Sequence, residues 1–213
     1  MSRQSRNRKE RLRVALIGEG QTEQIYFTGV KGNDRPDDID LYPSLPRKKG
    51  TYANVLDEAI RLCGDYTVFA LIDMDTIVNG GNSQEYYTAK KKATDMGIIV
   101  LENYPCFEIW FLLHFTFTGR PFTRCDDVVT ELRQAGRLEG YEKSRDFLMR
   151  ADIYCKHKER LTAHAIRNAK QLETLRPLDN VHFPRAEVFR FFEWYLAPDR
   201  AERLKTGNLF SCP

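Results

Sequence analysis

Hydrophobic residues in the first half of the chain fall into short runs separated by amphipathic stretches. The runs carry β-branched and aromatic residues, which is typical of strands buried in a parallel sheet. Between them, apolar residues recur at the spacing of a helix that buries one face. The pattern predicts strands at residues 13–18, 39–42, 66–72 and 97–101, and helices at residues 22–31, 52–63 and 83–96.

The second half of the chain has helical patterns only. They predict helices at residues 105–117, 125–134, 157–174 and 185–196. Because strands and helices alternate in the first half, we predict an α/β fold with a mostly parallel four-stranded sheet flanked by helices and a helical C-terminal half. The expected organisation is a basic flexible arm (residues 1–12), an α/β core (13–117) and a helical region packed on it (118–213).

Composition adds limits to the possible partners. The chain has 213 residues, 42% of them hydrophobic, and a net charge of +3, so it lacks the global basicity of an obligate nucleic-acid binder. Basic residues do crowd the N-terminus, where such an arm either follows a phosphate backbone or is a solvated tail. The arm contains Arg3, Arg6, Arg8, Lys9 and Arg11, and Arg13 follows it.

The five cysteines are scattered and form no CxxC pair, which argues against a zinc site. Cys63 and Cys106 lie in apolar segments, and we expect them to be reduced core residues in a cytoplasmic protein. The longest apolar stretch, residues 107–117, contains Glu108 and is too short to span a bilayer. We therefore expect no signal peptide and no membrane association.

Acidic residues follow two of the predicted strands. Glu19 and Glu23 come after the first strand, and Asp73 and Asp75 come after the third. In open α/β sheets, ligands bind beyond the carboxyl ends of the strands. Carboxylates gathered there repel one another unless a divalent cation joins them. This predicts a Mg²⁺ site, with Mn²⁺ as a possible substitute, and Mg²⁺ usually serves phosphate chemistry.

Each acidic residue also has a purely structural interpretation. Glu23 lies in a first helical turn, where the helix dipole stabilises a carboxylate. Glu19 could form a salt bridge. Asp73 and Asp75 share a face if the strand continues to Asp75, and they could still converge on one cation if the chain turns after Asp73. Asp at a strand end is also a common turn former.

The combination of Glu19 after the first strand with Asp73 and Asp75 after the third resembles the Toprim fold of topoisomerases, primases and several nucleases. Further segments extend the resemblance over most of the chain. They are Glu19-Gly-Gln-Thr-Glu23 followed by Tyr26-Phe27, Ala70-Leu-Ile-Asp73-Met-Asp75, residues 105–115, Gly140-Tyr-Glu-Lys143 and residues 165–172. Together these segments resemble one protein family with this fold, the RloB-like family. The chain departs from the family pattern before Pro105, where Tyr104 stands in place of a common Asn and Asn103 lies one residue earlier.

The resemblance implies roles for individual residues. Glu19 would act as general acid or base, with Glu23 beside it, while Asp73 and Asp75 would bind the metal. Lys143 could neutralise a scissile phosphate.

Glu108 begins a predicted helix close to the end of strand four, so it either joins the metal site or only stabilises its helix start. His114 lies six positions later on that helix, about 240° around its axis, so the two side chains face different sides. Because His114 lies inside an apolar run, a satisfied core histidine is the favoured interpretation.

The resemblance implies a Mg²⁺-dependent nuclease of RNA or DNA that serves as an effector in bacterial antiphage defence. An ATPase encoded at the same locus would be its partner. The alternative is a non-catalytic subunit that keeps the Toprim shape and binds a nucleotide or that ATPase.

Overall fold

A computed structural model of the protein describes residues 11–48, 50–177, 180–207 and 209–210. In this part of the chain, a five-stranded sheet has the order β2-β1-β3-β4-β5, and its first four strands are parallel. The strands are β1 (Leu12–Ile17), β2 (Ile39–Ser44), β3 (Thr67–Asp73), β4 (Ile99–Tyr104) and β5 (Arg185–Ala186). The α/β class, the mostly parallel sheet and the helical C-terminal half are confirmed.

The strand count of four is wrong, because a fifth strand from the C-terminal half extends the sheet. β5 runs antiparallel to β4 and pairs Arg185 with Tyr104 and Ala186 with Asn103. Two residues are too short for a period-two pattern, and these two begin a segment with helical spacing. The helical region thus completes one edge of the sheet.

β4 is longer than its apolar pattern indicated, since it continues through Glu102 to Tyr104. Glu102 is buried but fully partnered. Its carboxylate pairs with Lys90 at 2.7 Å and Arg185 at 3.1 Å, and it accepts a hydrogen bond from the Tyr86 hydroxyl at 2.8 Å. A buried charge with several partners does not end a strand.

Helices account for most of the remaining chain. They are α1 (Gln21–Asp34), α2 (Tyr52–Leu62), α3 (Asp75–Asn79), α4 (Ser83–Asp95), α5 (Glu108–Leu113), α6 (Cys125–Leu132), α7 (Arg145–Ala151), α8 (Ile153–Arg160), α9 (Arg167–Leu175), α10 (Val188–Tyr195) and α11 (Arg200–Thr206).

Two predicted helices differ in extent. The helix predicted at residues 105–117 is only α5, because Pro105 and the two residues after it form a turn anchored to β3. The helix predicted at residues 157–174 is interrupted by a π-helical segment, Leu161–Ile166.

The sheet separates two hydrophobic layers. Alternate residues of β3 point to opposite faces, with Phe69 and Leu71 on one and Ala70 and Ile72 on the other. Helices α2 and α4 cover the second face. Helices α1 and α5 and the C-terminal helices cover the first.

Aromatic rings fill the first layer. Phe192 of α10 stacks on Trp110 of α5 with ring centroids 5.3 Å apart, and the Trp110 indole N–H donates to the Tyr26 hydroxyl at 3.0 Å. All three side chains are buried. This cluster fixes α5 against α1 and α10.

Some sequence-based predictions concern residues outside the described ranges. The basic arm up to residue 10 is one of them. β1 already begins at Leu12, the last residue assigned to the arm. None of the helices in the described ranges combines the length and the apolar composition that a membrane span requires.

Phe192→Ala should lower the free energy of unfolding by about 3–5 kcal/mol, because it removes a buried ring and leaves a cavity among other rings. Urea denaturation followed by tryptophan fluorescence measures the change. Met149→Ala is the control, since Met149 is 55% exposed and should change stability by less than about 0.5 kcal/mol. A loss at Phe192 no larger than at Met149 would show that the aromatic cluster is not a stabilising core.

Candidate metal and acid–base site

The site lies at the carboxyl ends of β1 and β3, which are neighbours in the sheet. Gly18 follows β1 and lets the chain turn tightly into α1. A Cβ atom at residue 18 would lie 2.5 Å from the Cβ of Glu23, so any side chain larger than hydrogen would collide with it. Glycine here allows Glu23 to fold back over the end of β1.

Glu19 spans the gap between the two strands. Its Oε1 accepts a hydrogen bond from the backbone N–H of Asp73 at 3.2 Å. Burial raises the pKa of Glu19 to about 7, with a further contribution from the charge of Asp75, while the Asp73 N–H and Lys143 oppose the rise. A carboxyl group with this pKa can exchange a proton near neutral pH.

Glu23 lies in the first turn of α1 and is buried. Its Oε1 accepts the backbone N–H of Glu19 at 3.2 Å. Burial and the nearby charge of Glu108 raise the pKa of Glu23 to about 8. Stabilisation by the helix dipole alone therefore does not describe this residue, because its surroundings disfavour the charged form.

Asp73 ends β3 and links the strand to the segment before α5. Its Oδ1 accepts the backbone N–H of Phe107 at 2.8 Å. Burial, together with the charges of Glu23 and Glu108, holds the pKa of Asp73 well above its usual range. Asp73 thus lies within electrostatic reach of the other carboxyl groups.

Glu108 is the first residue of α5 and is buried. The Tyr141 hydroxyl donates to its Oε1 at 2.9 Å, and the Lys143 ammonium lies 3.1 Å from its Oε2. Burial opposes the charge on Lys143, but Glu108, Asp73 and Glu23 outweigh this effect and raise the pKa of the lysine. Lys143 is therefore a cation at the site.

The side chains of Glu19, Glu23, Asp73 and Glu108 converge on one cavity of about 360 Å³, and Lys143 lines it as well. Four carboxyl groups thus share a concave space with a single lysine, counting the lining residues that the structure describes. Burial is the main cause of the raised pKa values of Glu19, Glu23 and Asp73, and the charges of neighbouring carboxylates raise them further. Oxygen donors of this kind suit a hard divalent cation.

Asp75 does not line this cavity. β3 ends at Asp73, the chain turns at Met74, and Asp75 begins α3 with its Oδ1 accepting the N–H of Thr76 at 2.7 Å. The two aspartates are therefore not alternate residues of one strand. Asp75 is half-buried, and its charge still contributes to the raised pKa of Glu19.

His114 lies outside the site, as the sequence favoured. It follows α5, is buried, and its Nδ1 lies 2.9 Å from the carbonyl oxygen of Trp110. Burial lowers its pKa to about 4, so the ring is neutral. Asn103 is beside Asp73 in the sheet and fully buried, and neither polar atom of its amide has a hydrogen-bond partner among the described residues.

The expectation of a reduced Cys106 is wrong in this structure. Cys106 forms a disulfide with Cys125, with Cα atoms 5.5 Å apart. The two cysteines lie in different segments, and a separation of 19 residues does not by itself predict that they pair. Free cysteines in the described ranges are Cys63 and Cys155.

Two contributors to the site were missed by reasoning from the residues alone. Tyr141 was noted only as part of the segment that contains Lys143, yet its hydroxyl binds Glu108. Its position two residues before Lys143 was the available signal. Cys125 was assigned only as a helix start, and its sulfur lies 3.1 Å from the Lys143 ammonium.

The fold and the site define an α/β protein with a carboxylate-rich cavity at the carboxyl ends of its parallel strands. The family model described as RloB-like protein matches residues 14–192, so the chain belongs to the RloB-like family. Searches of curated proteins and of solved structures gave no significant match.

The metal-free protein should lose stability as the pH rises from about 5 to about 8 because of Glu19 and Glu23. Their folded pKa values of about 7 and about 8 lie above the ordinary value of 4.5. In this window the folded state therefore holds protons that the unfolded state has released, and rising pH favours unfolding. Thermal midpoints in a chelating buffer measure the trend.

Glu23→Gln should make this pH dependence shallower, because glutamine cannot ionise. Comparing the variant with the wild type is necessary, since the lowered pKa of His114 gives an opposite trend below about pH 6.5. Asp95→Asn is the matched control, because Asp95 is an exposed carboxylate of α4 that pairs with Lys91. Equal slopes in the wild type and Glu23→Gln would contradict the assignment.

Proposed function

We propose that this protein is a Mg²⁺-dependent phosphodiesterase that cleaves RNA or DNA and has a Toprim-like core. The observation that carries the proposal is the convergence of Glu19, Glu23, Asp73 and Glu108 on one cavity with Lys143. Membership of the RloB-like family supports it. The cavity also lies where open α/β sheets bind their ligands.

The residues at the site fit a magnesium ion. Burial and mutual repulsion raise the pKa of Asp73 and of both Glu19 and Glu23, so a divalent cation would relieve a charge excess that protons otherwise neutralise. Asp73 and Glu108 are the ligands we assign, and Glu19 lies beside them in the same cavity. Asp75 is a further candidate ligand, because its charge acts on Glu19.

Each residue has a chemical task in this proposal. Mg²⁺, when bound, supplies charge neutralisation at a phosphate and activation of a water molecule. Glu19 takes up or releases a proton at its carboxylate, for which a pKa of about 7 is suitable. Lys143 places a positive charge at the cavity wall, where it binds and orients an anionic phosphate. Glu23, which accepts a hydrogen bond from the backbone N–H of Glu19, is a second carboxyl group that can hold and release a proton.

The biological role follows by analogy with the family. We propose an effector in bacterial antiphage defence that acts in the cytoplasm with an ATPase from the same locus. A non-catalytic subunit is the alternative. The carboxyl groups of the cavity and its lysine favour catalysis, because a site used only for binding does not need an acid–base group with a pKa near neutrality.

Asp73→Asn and Glu19→Gln should each abolish Mg²⁺-dependent cleavage of labelled RNA or DNA while the fold survives. Asp73→Asn should also weaken Mg²⁺ binding measured by calorimetry, because it removes a charged ligand. Glu19→Gln should reduce cleavage more strongly than it reduces Mg²⁺ affinity, since its main task is proton transfer.

Asp95→Asn changes an exposed carboxylate to its amide in the same way, and it should leave both properties unchanged. Calorimetry distinguishes the nuclease from the non-catalytic subunit even if the isolated protein cleaves nothing without a partner, because it measures Mg²⁺ binding directly. If Mg²⁺ fails to bind the wild type, or binds Asp73→Asn equally well, the proposed metal site is wrong. Cleavage that persists in both variants would exclude the mechanism.

A further inference from the structure

We propose that Cys106 and Cys125 are a reversible redox-modification site, a dithiol–disulfide pair whose covalent state controls Glu108 and therefore the affinity for Mg²⁺. The co-reactant is a disulfide, either a small molecule such as glutathione disulfide or an oxidised protein dithiol. The link to Mg²⁺ rests on the proposed function above. The covalent site itself rests only on the geometry of the two cysteines and their neighbours.

The disulfide is in direct contact with the carboxylate site. Cys125 Sγ lies 3.2 Å from Glu108 Oε2 and 3.1 Å from Lys143 Nζ. The same two groups form an ion pair with each other at 3.1 Å. Sulfur, carboxylate and ammonium thus form a triangle at the wall of the cavity.

Through Cys106, the disulfide constrains two candidate Mg²⁺ ligands, Asp73 and Glu108. Cys106 lies between Pro105, whose carbonyl oxygen accepts the N–H of Asp75 at 3.0 Å, and Phe107, whose N–H binds Asp73 Oδ1. Glu108 follows directly. A covalent bond from Cys106 to the start of α6 therefore constrains the segment that holds both Asp73 and Glu108.

The two redox states differ in hydrogen bonding. A disulfide sulfur carries no proton, so Cys125 can accept from Lys143 but cannot donate to Glu108. After reduction, the Cys125 thiol is a donor 3.2 Å from Glu108 Oε2 and competes with a cation for that oxygen. We therefore expect the disulfide form to bind Mg²⁺ more tightly, because Glu108 is both free of this donor and held in place.

Reduction proceeds by thiol–disulfide exchange. Cys125 is half-buried whereas Cys106 is buried, so an external thiolate attacks Cys125 Sγ. The S–S bond breaks, Cys106 leaves as a thiolate and takes up a proton, and a mixed disulfide remains on Cys125. A second external thiolate attacks the external sulfur of that bond, releases Cys125 and forms the external disulfide. Oxidation is the reverse sequence.

A soft-metal site is the competing interpretation of these residues. One ligand atom each from Cys106, Glu108 and Cys125 lies within 4.8 Å of the others, as a metal would require. The disulfide, however, leaves neither sulfur as the thiolate that a soft metal needs as a ligand. The Lys143 ammonium, 3.1 Å from Cys125 Sγ, further disfavours such a metal at the sulfurs.

The experiment equilibrates the full-length protein in glutathione buffers of different ratio, maps disulfides by peptide mass spectrometry and measures Mg²⁺ affinity of each form by calorimetry. We expect the Cys106–Cys125 bond to form reversibly. We also expect the oxidised form to bind Mg²⁺ with an affinity at least about threefold higher than that of the reduced form. Cys125→Ser should lose this difference. Cys63→Ser should keep it, because Cys63 is a free cysteine at the end of α2.

Three results would overturn the proposal: no bond between these cysteines, equal Mg²⁺ affinity of the two forms, or stoichiometric Zn²⁺ binding by the reduced protein that Cys125→Ser abolishes. If neither form binds Mg²⁺, the proposed function fails. The redox proposal is then tested by the thermal unfolding midpoints of the oxidised and reduced forms. Oxidation should then raise the midpoint more in Glu108→Gln than in the wild type, because only the wild type loses a hydrogen bond from the Cys125 thiol to a carboxylate on oxidation. An equal rise in both would overturn it.

Discussion

The site depends on the cost of removing several carboxyl groups from water at one end of a sheet. Burial is the largest cause of the raised pKa values of Glu19, Glu23 and Asp73. A buried carboxyl group must be protonated, paired with a cation or bound to a metal. Lys143 pairs directly with Glu108, so the remaining groups share protons or a further cation. The same constraint gives Glu19 a pKa near neutrality and is the basis of the Mg²⁺ site that we propose.

The rest of the molecule supplies the stability that holds these groups together. Parallel pairing of β1 with β3 brings Glu19 and Asp73 to the same edge of the sheet. The backbone N–H of Asp73 then holds the Glu19 carboxylate by a hydrogen bond. α5 is buried along its whole length and is held by the stacking of Trp110 on Phe192. Because α5 cannot shift without disturbing this aromatic layer, the packing holds the backbone of Glu108, the first residue of α5, next to the cavity.

The sequence predicted the parts that depend on local patterns. Runs of apolar residues located four strands, and acidic residues just after two of them indicated the site. Prediction from the sequence failed where the local structure depends on a contact with a residue far away in the chain. β4 continues through Glu102 because Arg185 and Lys90 neutralise it, and β5 is a strand because it meets the end of β4. Asp75 turns away from the cavity because the N–H groups of Met74 and Asp75 bind the Pro105 carbonyl, a contact that spacing alone does not reveal.

The segment from Pro105 to Glu108 connects all of these features. Its carbonyl oxygen at Pro105 fixes the turn after β3, its N–H at Phe107 binds Asp73, and its last residue is itself a carboxylate of the site. Cys106 lies in the middle of this segment and bonds covalently to the start of α6. Because the contacts run through four consecutive residues, displacement of any one of them moves Asp73 relative to Glu108. The distance between these two carboxylates is therefore set by this turn, and the sheet alone does not determine it.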